Sequence, residues 1–144
     1  MTPRGFRYLL IGSLLCQFAA VIVDFFFPHL VPESLYDAQL QAAANTFASK
    51  ESLRTIIIIA IVVVSCEILA FIGMFMFKRW ARTLGFVLVP ISALGSVIIG
   101  FDVTSGWVAA FREISLVLWG AALAVSYFSP AVADRFNQEI LKNN

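Results

Sequence analysis

Four long apolar stretches, separated by shorter polar segments, make up most of this 144-residue chain. A transmembrane helix needs about 17–25 predominantly apolar residues at 1.5 Å of rise per residue. The stretches in this range are residues 8–27, 56–77, 84–101 and 107–128. The third contains Pro90, which a membrane helix tolerates where neighbouring groups satisfy the freed carbonyl. The pattern predicts an all-α integral membrane protein, an antiparallel four-helix bundle in one domain covering residues 1–144.

The segment between the first two stretches has the pattern of an amphipathic helix. Ser34, followed three residues later by Asp37, is typical of a helix N-terminus. Apolar side chains then recur at helical spacing, with polar residues between them. These apolar positions are Tyr36, Leu40, Ala43 and Phe47. We expect a helix over about residues 34–47 that caps the outer ends of the bundle. The alternative is a partner- or ligand-binding surface, with Tyr36, Leu40 and Phe47 as the residues expected on it.

Composition supports a membrane protein and excludes some other classes. The chain is 60% hydrophobic and 13% charged, whereas a soluble domain is roughly 45–50% apolar and about 25% charged. The net charge of +1 gives no basis for nucleic-acid binding. Cys16 and Cys66 both fall within predicted spans, so we interpret them as packing residues rather than as a disulfide.

The basic residues predict the orientation, because Lys and Arg accumulate on the cytoplasmic side of a membrane. With a cytoplasmic N-terminus, that side holds Arg4, Arg7, Lys78, Arg79, Arg82, Arg135 and Lys142. The other side holds Lys50, Arg54 and Arg112. Both termini are therefore expected in the cytoplasm, at the inner membrane. We expect Lys78, Arg79, Trp80 and Arg82, in the turn after the second span, to bind lipid head groups.

Glu67 lies near the middle of the second apolar stretch, where a carboxylate is expensive and often marks a function. Counting residues inward from the span edges gives a set of polar or small side chains at the same depth. This intramembrane cluster is Glu67, Gln17, Ser92, Ser96 and Trp119. A protonated Glu67 within it would be a structural acid, because desolvation favours the neutral form. A hydrated Glu67 would be a proton or cation site.

The same counting places Asp24 and Arg112 together, about 24 Å above the cytoplasmic edge. It predicts an ion pair between them, for which Asp102 and Glu113 would compete, provided that the first and fourth spans are adjacent. Each of those spans also carries a stripe of small and polar residues. The stripes are Ser13, Gln17, Ala20 and Asp24, and Arg112, Ser115, Trp119, Ala122 and Ser126. Packing seams are the favoured interpretation of such stripes.

No catalytic or cofactor-binding motif is recognisable in the sequence. His29 has no Cys, His or carboxylate cluster around it in the sequence, so no metal is expected. Phosphate-binding loops, nucleophile motifs and paired haem histidines are also missing. We therefore predict a protein that is not an enzyme and has no cofactor.

Two short segments resemble small, uncharacterised four-span proteins of bacterial inner membranes. They are residues 78–84 (KRWARTL) and residues 127–130 (YFSP), the latter followed by Phe136. The resemblance implies the four-span architecture and an inner-membrane location.

Two functions remain open on the sequence. The first is a membrane interaction protein, either an accessory subunit or an immunity-type protein, with a protein partner or a second copy of itself. The second is a small oligomeric transporter or channel that is linked to protons or cations through Glu67.

Overall fold

The computed structural model describes residues 1–46, 50–99 and 104–142, and this part of the chain is all-helical with no strand. A short 3₁₀ turn, Pro28–Leu30, follows the first helix. The helices are α1 (Pro3–Phe26), α2 (Glu33–Thr46), α3 (Lys50–Phe75), α4 (Arg79–Ile99), α5 (Gly106–Phe128) and α6 (Pro130–Lys142). Each predicted span overlaps one of the helices α1, α3, α4 and α5. The sequence analysis did not predict α6.

Three of the described helices are long and apolar enough to cross a membrane. They are Pro3–Phe26, Arg54–Phe75 within α3, and Gly106–Phe128. Their apolar windows are only 17%, 11% and 22% buried within the protein. Because most of this apolar surface has no protein against it, it requires an apolar surrounding such as a bilayer. The fold is therefore that of a membrane protein.

Helices α1 and α5 form one antiparallel pair, joined by reciprocal hydrogen bonds between two buried serines. Ser13 Oγ donates to the Ser115 carbonyl at 3.0 Å, and Ser115 Oγ donates to the Ser13 carbonyl at 2.9 Å. In antiparallel helices this contact places Ala20 level with Val108, and Phe6 level with Ala122. All of these residues are buried, and they repeat every seven residues, as in a coiled-coil seam. The small residues in the seam allow close helix approach.

Helices α3 and α4 form the second antiparallel pair, a hairpin with a tight turn. The Lys78 amide donates to the Gly73 carbonyl at 2.8 Å, and the Phe77 amide donates to the Met74 carbonyl at 3.1 Å. This is the Schellman ending of a helix, which usually has glycine in the left-handed position. Here Phe77 occupies that position with φ 59°. Gly73 allows the helices to approach, since a Cβ added there would lie 2.5 Å from the Ala81 Cβ.

The two helix pairs meet in one buried apolar cluster, which we call the seal. Its buried members are Phe6, Leu10, Met74, Ala81, Ala122, Leu123, Val132 and Phe136. Helix α6 contributes the last two, and the Phe136 ring lies 5.9 Å from that of Phe6 and 5.3 Å from that of Phe77. The seal therefore joins all helices except α2, at the end of the molecule that contains Met1.

Beyond the seal the two pairs are no longer packed together. In α3, none of the described side chains from Arg54 to Leu69 is buried. In α4, none of those from Val89 to Gly95 is buried. Burial in α1 and α5 continues to Ala20 and Val108, but only along the seam that joins these two helices. The space between the pairs is thus closed at one end and open above it.

Candidate functional site

The open space begins one heptad above the seal, and its first layer is polar. In α1, the residue seven positions beyond the buried Leu10 is Gln17, which is exposed. In α3, the residue seven positions before the buried Met74 is Glu67, which is also exposed. Residues seven apart lie on nearly the same face of a helix, about 10 Å apart along its axis. Gln17 and Glu67 therefore face the space between the pairs.

Helices α4 and α5 continue the same layer. A Cβ added to Gly85 of α4 would lie 3.1 Å from the Trp119 ring of α5, so these residues are level where the two helices approach. One heptad beyond Gly85 is Ser92, and one heptad before Trp119 is Arg112. Both Ser92 and Arg112 are half-buried.

Each of the four long helices thus supplies one polar side chain at the level directly above the seal. We call this set the polar layer. Its members are Gln17, Glu67, Ser92 and Arg112. The layer contains one carboxylate, one guanidinium, one amide and one hydroxyl, and it is the floor of the crevice between the helix pairs.

Glu67 is held in the layer by a hydrogen bond across the α3–α4 hairpin. Ser92 Oγ donates to Glu67 Oε1 at 2.7 Å. A hydroxyl-to-carboxylate bond of this length is strong, because one partner is an anion when ionised. The bond orients one carboxyl oxygen toward α4. Of the intramembrane cluster expected from the sequence, the structure thus brings Glu67 and Ser92 into contact and places Gln17 on the same floor.

Trp119 lies lower than the sequence count suggested. Its ring packs against the seal and over Gly85, one layer beneath Glu67. The structure therefore does not bring Trp119 beside Glu67. The Ser96 side chain, the fifth member of the expected cluster, lies outside the part of the chain whose side chains are described.

The structure does not bring Asp24 and Arg112 together, although α1 and α5 are adjacent as such a pair requires. The Ser13–Ser115 contact sets the register, and in that register Asp24 is level with Thr104. Arg112 lies eight residues away, or about 12 Å along the axis. The sequence count took Tyr8 and Phe128 as level, whereas in this register Tyr8 is level with Gly120. Arg112 belongs to the layer of Glu67 instead.

The remaining acidic residues expected near Arg112 divide between exposed and undescribed positions. Asp24 and Glu113 are both exposed. Asp102 lies outside the described residues. The expected outer ion-pair layer is therefore not assembled from Asp24, Arg112 and Glu113.

A helix is present where the sequence predicted one between the first two spans. Helix α2 runs from Glu33 to Thr46, and Tyr36 on it is 54% exposed. Of the other two residues expected on its surface, Leu40 lies in the helix but its side chain is not among those described. Phe47 lies outside the described residues. That α2 caps the outer ends of the bundle stays a prediction, and so does a binding surface on it.

The basic turn that was expected to bind lipid head groups makes specific contacts with α5 and α6. Arg79 Nη2 and Nε donate to Asn137 Oδ1 at 2.6 and 3.1 Å. Arg82 Nη1 donates to the Ser126 carbonyl at 3.2 Å. The Arg82 guanidinium also lies over the Tyr127 ring, 4.7 Å from its centroid. These two arginines therefore attach α4 to α5 and α6.

The other two residues of the basic turn differ from each other in their surroundings. Trp80 is 51% exposed and packs in part over Gly73, while Lys78 is half-buried and makes contacts of its own. Lipid binding by Lys78, Arg79, Trp80 and Arg82 stays a prediction.

Helix α6 is the element that sequence reasoning missed, although two signals for it exist. Ser129 followed by Pro130 is a typical start of a helix, because Pro is favoured in the first turn. Val132 and Phe136 then follow at a spacing of four, which places them on one face. Both side chains are fully buried in the seal. The long apolar stretch of α5 ends at the same point. Its hydrophobic pattern is much stronger than that of the short amphipathic helix, which is therefore easy to overlook.

Comparison with known proteins gives no further guide, because no protein-family model, curated protein or solved structure matches this chain. Among the described residues, no three His, Cys, Asp or Glu side chains lie close enough to hold a metal ion. The polar layer is therefore the feature of the described residues that points to a function.

Proposed function

We propose that this chain is an integral membrane protein of the bacterial inner membrane that binds another polypeptide and catalyses no reaction. In this proposal α1, α3, α4 and α5 are the four spans of an antiparallel bundle, both termini are cytoplasmic, and α2 lies outside. The protein would act as an accessory subunit or as an immunity-type protein. The crevice above the polar layer, together with α2, would be the binding surface.

The observation that carries this proposal is the exposure of polar side chains on inward-facing helix surfaces. Gln17 and Glu67 are exposed at positions that lie well inside apolar helices. Polar and ionisable groups at such depth are retained where they bond to protein or to water. Nearer the seal, an apolar groove between α1 and α3 is lined by Ile11, Leu14, Phe71, Ile72, Phe75 and Met76. A transmembrane segment with polar groups at mid-depth would satisfy both surfaces.

Site-specific photo-crosslinking in intact membranes tests the proposal. A photoreactive amino acid would replace Gln17 in the crevice and, separately, Tyr36 on α2. The expected result is an adduct with the same polypeptide from both positions, identified by mass spectrometry. Phe18 is the matched control, because it neighbours Gln17 but lies on a different face of α1 and is 58% exposed.

Two outcomes would count against partner binding. One is that neither Gln17 nor Tyr36 yields a polypeptide adduct while Phe18 yields only lipid adducts. The other is that all three positions yield the same mixture of polypeptides, as expected from random collisions in the membrane.

A second candidate, a small oligomeric transporter or channel linked to protons or cations, is favoured by one observation. The Glu67 carboxyl is exposed to the crevice rather than enclosed. Against this stands the seal, because a path through one copy would have to pass the packed rings of Phe6, Phe77 and Phe136. Flux of protons, sodium or potassium into proteoliposomes, compared between the natural protein and Glu67→Gln, tests it. Equal fluxes that do not exceed those of empty vesicles would exclude it.

A further inference from the structure

The polar layer contains one positive and one negative group, and they belong to different helix pairs. Glu67 is on the α3–α4 hairpin, and Arg112 is on the α1–α5 pair. Glu67 lies one heptad above Met74, which is fully buried in the seal. Arg112 lies above Trp119, which packs toward α4. Both side chains are long, and the contacts of Gly85 with Trp119 and of Ser92 with Glu67 place their helix positions at the same level.

The membrane surroundings favour an ion pair between Glu67 and Arg112. A charged group within hydrocarbon is costly, and pairing with an opposite charge reduces that cost. Ser92 bonds one oxygen of the Glu67 carboxyl, and a carboxylate can accept several further bonds. Arg112 makes other contacts in this structure, but a guanidinium has five donor hydrogens and can bond two partners at once. Glu67 and Arg112 therefore both have bonding capacity beyond a single partner.

The fold also permits the movement that pairing requires. Above the seal, the described side chains of α3 and α4 that face the other pair are unburied, so no packing there opposes approach. Within each pair, by contrast, the helices are joined by the Ser13–Ser115 bonds or by the close contact of Gly73 with Ala81. Each pair can therefore move as a unit about the seal.

We infer that the two helix pairs close over the seal by forming an ion pair between Glu67 and Arg112, which acts as a latch on the crevice. The open arrangement seen here and the latched one are two states of the same chain. The latch rests on the membrane location in the proposed function, but it requires no partner, so it can hold even if no partner exists.

Distances between spin labels in proteoliposomes test the latch. The labels would be placed at Val63→Cys and Ala109→Cys, which lie one turn beyond Glu67 and Arg112, in a background carrying Cys16→Ala and Cys66→Ala. We expect a short-distance population in the natural charge arrangement. In Glu67→Gln and in Arg112→Gln this population falls by about threefold or more, because the attraction between the two charges, which favours closure, is removed. The exchange Glu67→Arg with Arg112→Glu restores it.

Two controls make the result specific. Ser65→Ala changes a hydroxyl that bonds only within α3, to the Ile61 carbonyl at 2.7 Å, and leaves the short-distance population unchanged. Labels at Phe18 and Ala110, within the α1–α5 pair, keep their distance in every variant. The inference is overturned if Glu67→Gln and Arg112→Gln leave the Val63–Ala109 distribution as it is. It is also overturned if Ser65→Ala alters that distribution as much as they do. If the exchanged variant does not fold, the two single glutamine variants decide the question.

Discussion

The seal and the polar layer are built on the same helix faces, one heptad apart, yet one is closed and the other open. Leu10 and Met74 are fully buried in the seal, while Gln17 and Glu67, on the same faces, are exposed. The helices continue through both levels, so secondary structure does not distinguish them. The difference lies in the side chains that face the centre.

The comparison shows what holds helices together in an apolar surrounding. Lipid is as apolar as leucine, so apolar side chains alone give little preference for protein over lipid. The seal adds tight packing, with small residues at Gly73 and Ala81 and T-shaped contacts of the Phe136 ring with the rings of Phe6 and Phe77. The polar layer has neither small residues in close contact nor packed aromatic rings. Its polar groups need hydrogen-bond or ion-pair partners before the helices can close at that level.

Exchanging residue types between the two levels is the strongest test of this comparison. We expect Leu10→Gln to lower the free energy of unfolding in detergent micelles by about 5 kcal/mol, since it removes apolar packing and buries an amide without a partner. The reverse change one heptad away, Gln17→Leu, should alter it by less than about 0.5 kcal/mol, as expected at an exposed position. Similar changes in the free energy of unfolding at both positions would show that side chains are packed equally tightly in the seal and in the polar layer.

The contribution of α6 to the seal is the next largest effect. Phe136→Ala should lower the free energy of unfolding by about 3–4 kcal/mol, because it leaves a cavity between the rings of Phe6 and Phe77. Phe128→Ala is the matched control, since that ring is 85% exposed. Thermal unfolding followed by circular dichroism would measure both. A loss for Phe136→Ala no greater than for Phe128→Ala would contradict the packing of α6.

A smaller effect is expected where α3 and α4 approach each other. Gly73→Ala should lower the free energy of unfolding by about 1–3 kcal/mol, because the added methyl overlaps Ala81 and forces the hairpin apart. Gly120→Ala, in the middle of α5, has no atom within 4 Å of the added Cβ. It should be neutral or stabilising by up to about 1 kcal/mol, from helix propensity. Destabilisation of equal size in both variants would show that the close contact of Gly73 with Ala81 does not determine how near α3 and α4 can lie.

The smallest effect concerns the seam between α1 and α5. Ser13→Ala should cost about 0.5–1 kcal/mol, typical of a hydrogen bond between membrane helices. Adding Ser115→Ala should then cost less than it does in the natural protein, because the contact between the two hydroxyls, which lie 3.1 Å apart, is already lost. The double-mutant cycle measures this coupling. Strict additivity would mean that the contact between the two hydroxyls contributes nothing, because in each single variant the remaining Oγ can still bond a backbone carbonyl.

The helices of this fold were largely predictable from the sequence, because each depends on a local pattern. The span predicted at residues 107–128 compares with Gly106–Phe128 in the structure. The helix predicted at about 34–47 compares with Glu33–Thr46. The N-caps also follow from local sequence, as where Ser105 Oγ accepts from the Val108 amide.

The candidate site was only partly predictable, because its level depends on register between helices. Counting from span edges paired Arg112 with Asp24 and set Trp119 beside Glu67. Both placements assumed that every span begins at the same height. The register is fixed instead by the contact of Ser13 with Ser115 and by the approach of Gly85 to Trp119. Such contacts belong to tertiary packing, which no periodicity along one chain segment reveals.

The composition of the seal has a consequence for biosynthesis. Phe6 belongs to α1, which is synthesised well before α6, the helix that carries Phe136. The α3–α4 hairpin can form as soon as its turn is inserted, since its contacts are local, whereas α1 has to wait in the bilayer for α5. Contacts between distant parts of a chain form late. Until α5 is inserted, the face of α1 that forms the seam has no helix packed against it. We therefore expect a membrane-embedded chaperone or protease to bind α1 before α5 does.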